Sequence, residues 1–239
     1  MGGRIIRPEQ GGKILELPEI GRLHIGKKQM GQNGKEYPVS VDYFIPSGKY
    51  AGMFTQALGD KPQTIQVIFP DDSPEKVCNE RFIYRDDKGA LVSYGDGKIF
   101  NIWNGKIYAP YSVETYPDIW EQIIKNNPTK RGTDNWDVEL TLRFIIPAIR
   151  GIVGVWSLTT KGAASSVKNL RESFDAVLAM RGTVTTSVFD LGVHFHKSNK
   201  PGQNSRYPVL ELICNDSRVG EIREMLKAEN STKNLLLPG

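Results

Sequence analysis

Glycine-containing turn signals recur through the middle of the chain at a spacing that only short strands can fill. Asp87-Lys88-Gly89, Asp96-Gly97 and Asn104-Gly105 separate residues 81–86, 91–94, 98–103 and 106–111, runs that alternate apolar and polar side chains. Such dipeptides supply the positive φ of tight hairpins, and a period of two gives each strand one apolar face. A helix over the same stretch would carry a glycine every eight residues. The spacing therefore predicts an antiparallel meander.

On either side, the pattern is of strands with a few helices. Residues 23–25 and 37–45 flank a polar connection containing Asn33-Gly34 and read as a hairpin. Residues 50–58 have helical spacing, with Tyr50, Met53, Phe54, Ala57 and Leu58 on one side, and residues 64–69 alternate as a strand. A short helix is expected at 116–125, ahead of a polar, basic connector at 126–132 taken as a domain boundary. Beyond it, residues 136–147, 151–160, 183–196 and 207–215 read as strands. The longest helix is expected at 162–180, where Ala163, Val167, Leu170, Phe174, Val177 and Leu178 share a face, and a terminal helix at 219–227.

The fold class expected is α+β: antiparallel sheets with packed helices, in two sub-domains. Residues 1–17 would be a mobile tail and 18–127 an N-terminal β-rich α+β domain holding the meander. Residues 132–230 would be a C-terminal α+β domain of order β-β-α-β-β-α, and 231–239 a tail.

With 239 residues, 39% of them apolar, the chain can bury a core, which excludes disorder as its main state. The longest apolar runs are far shorter than the roughly 18 residues of a membrane helix, and residues 1–8 lack a signal-peptide core. A soluble, unsecreted protein is expected. Cys78 and Cys214 stand 136 positions apart, too far for any paired-thiolate zinc motif and too few for a disulfide framework.

Reactive motifs are scarce. There is no phosphate-cradling Gly-x-x-x-x-Gly-Lys-Ser/Thr and no Gly-x-Ser-x-Gly elbow. Thr159-Thr160-Lys161-Gly162 opens the long helix, where simple capping by the hydroxyls is favoured over anion binding. His194 and His196 alternate on one strand face, and two ligands do not make a metal site. Asp71-Asp72 and Asp86-Asp87 fall in turns. No enzyme, cofactor or metal is expected.

Charge is uneven. Residues 140–210 hold nine basic groups against three acidic ones, whereas 71–96 hold seven acids against four bases. A dense block of one sign is what polyanion binding requires. Two segments also echo each other at an offset of 170: His24, Lys27, Tyr37, Pro38 and Val39 recur as His194, Lys197, Tyr207, Pro208 and Val209, each set around an acid-free polar loop. Such loops can wrap a sugar–phosphate backbone. The candidate nucleic-acid contacts are Lys27, Lys28, Lys35, Lys161, Lys168, Arg171, Lys197, Lys200 and Arg206, with Phe195 and Tyr207 as base-stacking rings.

The pattern Gly154-Val155-Trp156-Ser157-Leu158-Thr159-Thr160, an amphipathic helix, a strand with Leu191, a polar loop and Tyr207-Pro208-Val209-Leu210 resembles a known family. With Ile20-Gly21-Arg22-Leu23-His24-Ile25-Gly26 near the start, the likeness is to phage-encoded recombination directionality factors acting with large serine integrases, from about residue 20 to 215. The resemblance implies a non-enzymatic accessory protein of the bacterial cytoplasm. Its partners would be DNA, single- or double-stranded, and an integrase or other recombination protein that it shifts towards excision, with a second copy of itself left open. Two other readings stand beside it: a single-stranded nucleic-acid-binding or annealing protein, and a metal-dependent hydrolase built on His194 and His196.

Overall fold

The computed structural model describes residues 17–86, 88–119, 121, 137–161, 163–197 and 205–215. In chain order these form β1 (Glu19–Met30), β2 (Glu36–Ser47), α1 (Ala51–Leu58), β3 (Thr64–Val67), α2 (Pro74–Val77), β4 (Cys78–Arg85), β5 (Leu91–Gly95), β6 (Ile99–Trp103) and β7 (Tyr108–Ser112). Then come β8 (Asp137–Phe144), β9 (Val155–Thr160), a π-helical turn (Ala163–Val167), α3 (Lys168–Arg181), β10 (Phe189–Lys197) and β11 (Arg206–Cys214). The expected terminal helix at 219–227, the connector at 126–132, the tails at 1–16 and 231–239 and half of the helix expected at 116–125 lie outside the described residues.

The fold is α+β. An eight-stranded sheet has the order β2-β1-β9-β8-β4-β5-β6-β7, and a three-stranded sheet the order β11-β10-β3. The meander β4–β7 forms as the turn spacing predicts, with each turn closed by a side chain. Asp86 accepts the N–H groups of Lys88 and Ala90, Asp96 those of Lys98 and Ile99, and Asn104 those of Lys106 and Ile107. These local acceptors satisfy turn donors that have no ladder partner.

Three elements depart from the sequence pattern. The strand expected at 151–160 begins only at Val155, because Gly151 turns the backbone at φ +85° and Gly154 is pressed against Ile20. The strand expected at 183–196 begins only at Phe189; the N–H groups of Val184 and Thr185 donate instead to the Asp72 carboxylate, at 2.7 and 3.3 Å. The pairing of β1 with β9 is parallel, so the large sheet is mixed.

Cα partners in a ladder carry their side chains to the same side. The register therefore sorts the large sheet into an inner face, with Leu23, Trp156, Leu158, Leu140, Leu142, Phe144, Cys78 and Tyr84, and an outer face. From Leu23 to Cys78 the inner face packs against the small sheet and α3, whose Leu170, Phe174 and Val177 follow the helical repeat and are buried, while Tyr84 forms a second, smaller core with Phe100 and Ile119 at the meander end. Phe69 meets Phe174 and Phe189 edge-on, with ring centroids 5.0 and 5.1 Å apart. Strands from both sides of residue 130 share each sheet: β1 pairs β9, β4 pairs β8, and β3 pairs β10.

Candidate nucleic-acid interface

Both echoed segments are antiparallel hairpins. Their registers differ, since Tyr37 faces Gln29 whereas Tyr207 faces His196, three positions from the equivalent neighbour. In the first, β9 accompanies β1 only as far as Leu23, so Gly26–Met30 and Glu36–Ser40 continue as a two-stranded ribbon. Lys27, Lys28 and Lys35 are exposed on it, and Lys28 is 3.0 Å from Glu36. In the second, Lys197 faces Arg206 and both are exposed. Phe195 shares their side of the ribbon, while Tyr207 stands on the opposite side with His194 and His196. Lys200 lies outside the described residues.

The remaining candidates are elsewhere and carry partners. Lys161 is 3.3 Å from Asp137, Lys168 is 4.0 Å from Glu172, and Arg171 is 2.9 Å from Glu80. The Glu80 hydrogen bonds push the Arg171 pKa up, so its positive charge is held tightly in that pair. Lys27, Lys35, Lys197 and Arg206 have no ion-pair partner among the described residues. Among the described residues the candidate set thus resolves into four hairpin cations without an ion pair, Lys28 paired on the first hairpin, and paired cations around β8 and α3.

The outer face of the large sheet holds residues that the sequence reading passed over. Across it run Arg22 of β1, Ser157 and Thr159 of β9, Thr141 and Arg143 of β8, Arg81 and Arg85 of β4, Tyr94 of β5, Asn101 and Trp103 of β6, and Tyr108 of β7. Arg81 and Arg85 approach the same Glu139 carboxylate, at 2.8 and 3.7 Å, and Glu139 is buried. The Arg81 guanidinium also sits 5.2 Å from the centre of the Tyr94 ring. The signal was present as alternation: Arg81-x-Ile83-x-Arg85 puts both guanidinia on one side of a strand.

A cleft of about 640 Å³ opens where β4 runs on beyond its pairing with β5, and Cys78, Glu80, Arg171 and Asp175 line it together with Arg81, Tyr94 and Asn101 of the outer face. Burial, with the Asp175 and Glu80 charges, pushes the Cys78 thiol up to about 12, so it is protonated and inert at neutral pH. The two histidine rings stand 5.0 Å apart, and His194 Nε2 is 3.5 Å from Glu211. Among the described residues no three His, Cys, Asp or Glu side chains gather as metal ligands.

Two glycines join the ends of the matched pattern. Gly21 is the register partner of Trp156 in the parallel pair, and a Cβ on it would run into the indole ring. Gly154 likewise lies against the Ile20 side chain. Segments more than 130 residues apart in sequence are therefore one seam. A family model described as Gp3-like, recombination directionality factor-like, matches residues 20–215, from one side of this seam to the end of β11. The chain belongs to this family. Nothing among curated proteins or solved structures matches it. Membership places the protein among phage recombination factors, a typically non-enzymatic group. No helix among the described residues is long and apolar enough to cross a membrane.

Proposed function

We propose that the protein is a non-enzymatic accessory factor of a large serine integrase, acting in the bacterial cytoplasm to favour excision over integration. The observation that carries this reading is the family match over residues 20–215. DNA contact is assigned to the hairpin ends, where Lys27, Lys35, Lys197 and Arg206 keep their charges free of ion pairs among the described residues. A solvated, unpaired cation releases a phosphate counterion on binding, whereas one already paired must first exchange partners. Lys161, Lys168 and Arg171 would then contribute less than the hairpin cations.

The test is recombination in vitro with the cognate integrase, on attachment-site pairs for integration and for excision. The expected result is excision only when the protein is added, with integration suppressed. No change in either reaction overturns the reading. Replacing Lys197, Lys200 and Arg206 together by Ala is expected to weaken DNA binding and flatten its dependence on salt; undiminished affinity at low salt would remove the second hairpin from the interface.

A further inference from the structure

We propose that the outer face of the large sheet, over β4 to β7, binds single-stranded nucleic acid by stacking bases on a fixed row of rings. This site is separate from the hairpin cations and goes beyond the integrase reading. Trp103 packs on Tyr108 with ring centroids 5.2 Å apart, and Tyr108 on Tyr94 at the same separation. The Arg81 guanidinium ends the row. Tyr108 cannot swing away, since its hydroxyl donates to the Leu91 carbonyl at 2.8 Å. Trp103 is nonetheless 46% exposed, as few tryptophans on a sheet are.

An exposed ring held in place by its neighbours loses little entropy when a base stacks on it. Arg81 and Arg85 share the single Glu139 carboxylate, which leaves one positive charge in excess there, and their side chains remain 34% and 37% exposed. Glu75, Glu80, Asp96 and Asp175 line the cleft beside Arg81 and Tyr94, so the phosphates are placed on the Arg85 side of the row, away from those carboxylates. Asn101, between Tyr94 and Pro110 in the ladder, offers an amide to base edges. The row crosses four strands, roughly 14 Å at ~4.8 Å per strand, enough for a few successive nucleotides. In a duplex the base faces are hidden, and a sheet surface does not enter a groove as a ribbon does. Unpaired bases are therefore the ligand that the rings can reach.

The test uses the full-length protein and fluorescence anisotropy with a labelled oligo-dT 20-mer and a duplex of equal length, at two salt concentrations. Trp103→Ala is expected to lower single-strand affinity roughly 5- to 100-fold, the range of one lost stacking contact. Arg85→Ala should weaken binding and reduce the salt slope. Met180→Ala, at an exposed position of α3 on the opposite side of the large sheet, should leave single-strand affinity within a factor of about 2, and circular-dichroism melting confirms that each variant is folded. Wild-type protein that binds no single strand, or a folded Trp103→Ala with unchanged affinity, overturns the proposal. So does a Trp103→Ala variant that loses only its integrase contact, since the row would then be a protein-docking site. Excision assays with the same variant separate the two ideas: stacking can hold while the integrase reading fails, and the reverse.

Discussion

Asp72 shows how one carboxylate can replace a stretch of ladder. It accepts the N–H groups of Val184 and Thr185 and the Thr183 hydroxyl, fastening the loop after β3 to the loop before β10. Burial works against its ionisation, and the Val184 N–H followed by the Thr183 hydroxyl outweighs it, so the pKa is lowered. A lowered folded pKa contributes stability above the ordinary carboxylate range, and that contribution is lost as pH falls through the folded value. Asp72→Ala is expected to cost about 1–3 kcal/mol in urea denaturation at neutral pH, from donors left without an acceptor. Asp72→Asn should cost less and flatten the decline of stability below about pH 4. Equal acid sensitivity in Asn and wild type would show that Asp72 is not the group responsible. Phe174 is fully buried against Phe69. Its replacement by Ala should cost ~3–5 kcal/mol, and a value near zero would mean that α3 packs by another face. That burial was legible from periodicity; the role of Asp72 was not, because its partners are 111 to 113 positions away.

Among the elements, those written in local chemistry were readable. The meander appeared where turn residues and alternation coincide. Its turns are wider than two-residue ones, since Trp103 pairs with Tyr108 and Gly95 with Phe100. Both of these widen by two residues, so the side chains beyond them stay on their expected faces, whereas the five residues between Arg85 and Leu91 are accommodated by a register shift. The helix α3 likewise matches its apolar stripe and ends at Gly182, whose φ of +72° forms a left-handed cap. The seam of β1 with β9 was not readable, because no local pattern tells a strand which distant neighbour it will join. Gly21→Ala is expected to destabilise the fold by ~1–3 kcal/mol, as the added methyl displaces the Trp156 indole. The measurement is denaturation followed by tryptophan fluorescence; an unchanged midpoint would show that the seam can open without loss.

For the whole molecule, the informative result is how folding redistributes charge. Arg81 and Arg85 belong to the acidic segment in sequence, yet stand on the outer face beside Tyr94. Lys168 and Arg171 belong to the basic segment, yet pair with Glu172 and Glu80 near the cleft. The shared sheets carry a further expectation. A chain cut once between residues 126 and 132 should keep its two fragments together on gel filtration, because β8 pairs β4 and β9 pairs β1. Fragments that separate without denaturant would refute it. By itself, the sequence determined the α+β class, the meander, the long helix, two basic hairpins and a family likeness, since turn chemistry and periodicity act over a few residues. Only the tertiary structure decided which strands became neighbours, which cations met carboxylates, and that three meander rings and two arginines share one surface. A strand's alternation separates its two faces, but long-range pairing alone determines what lies beside each of them.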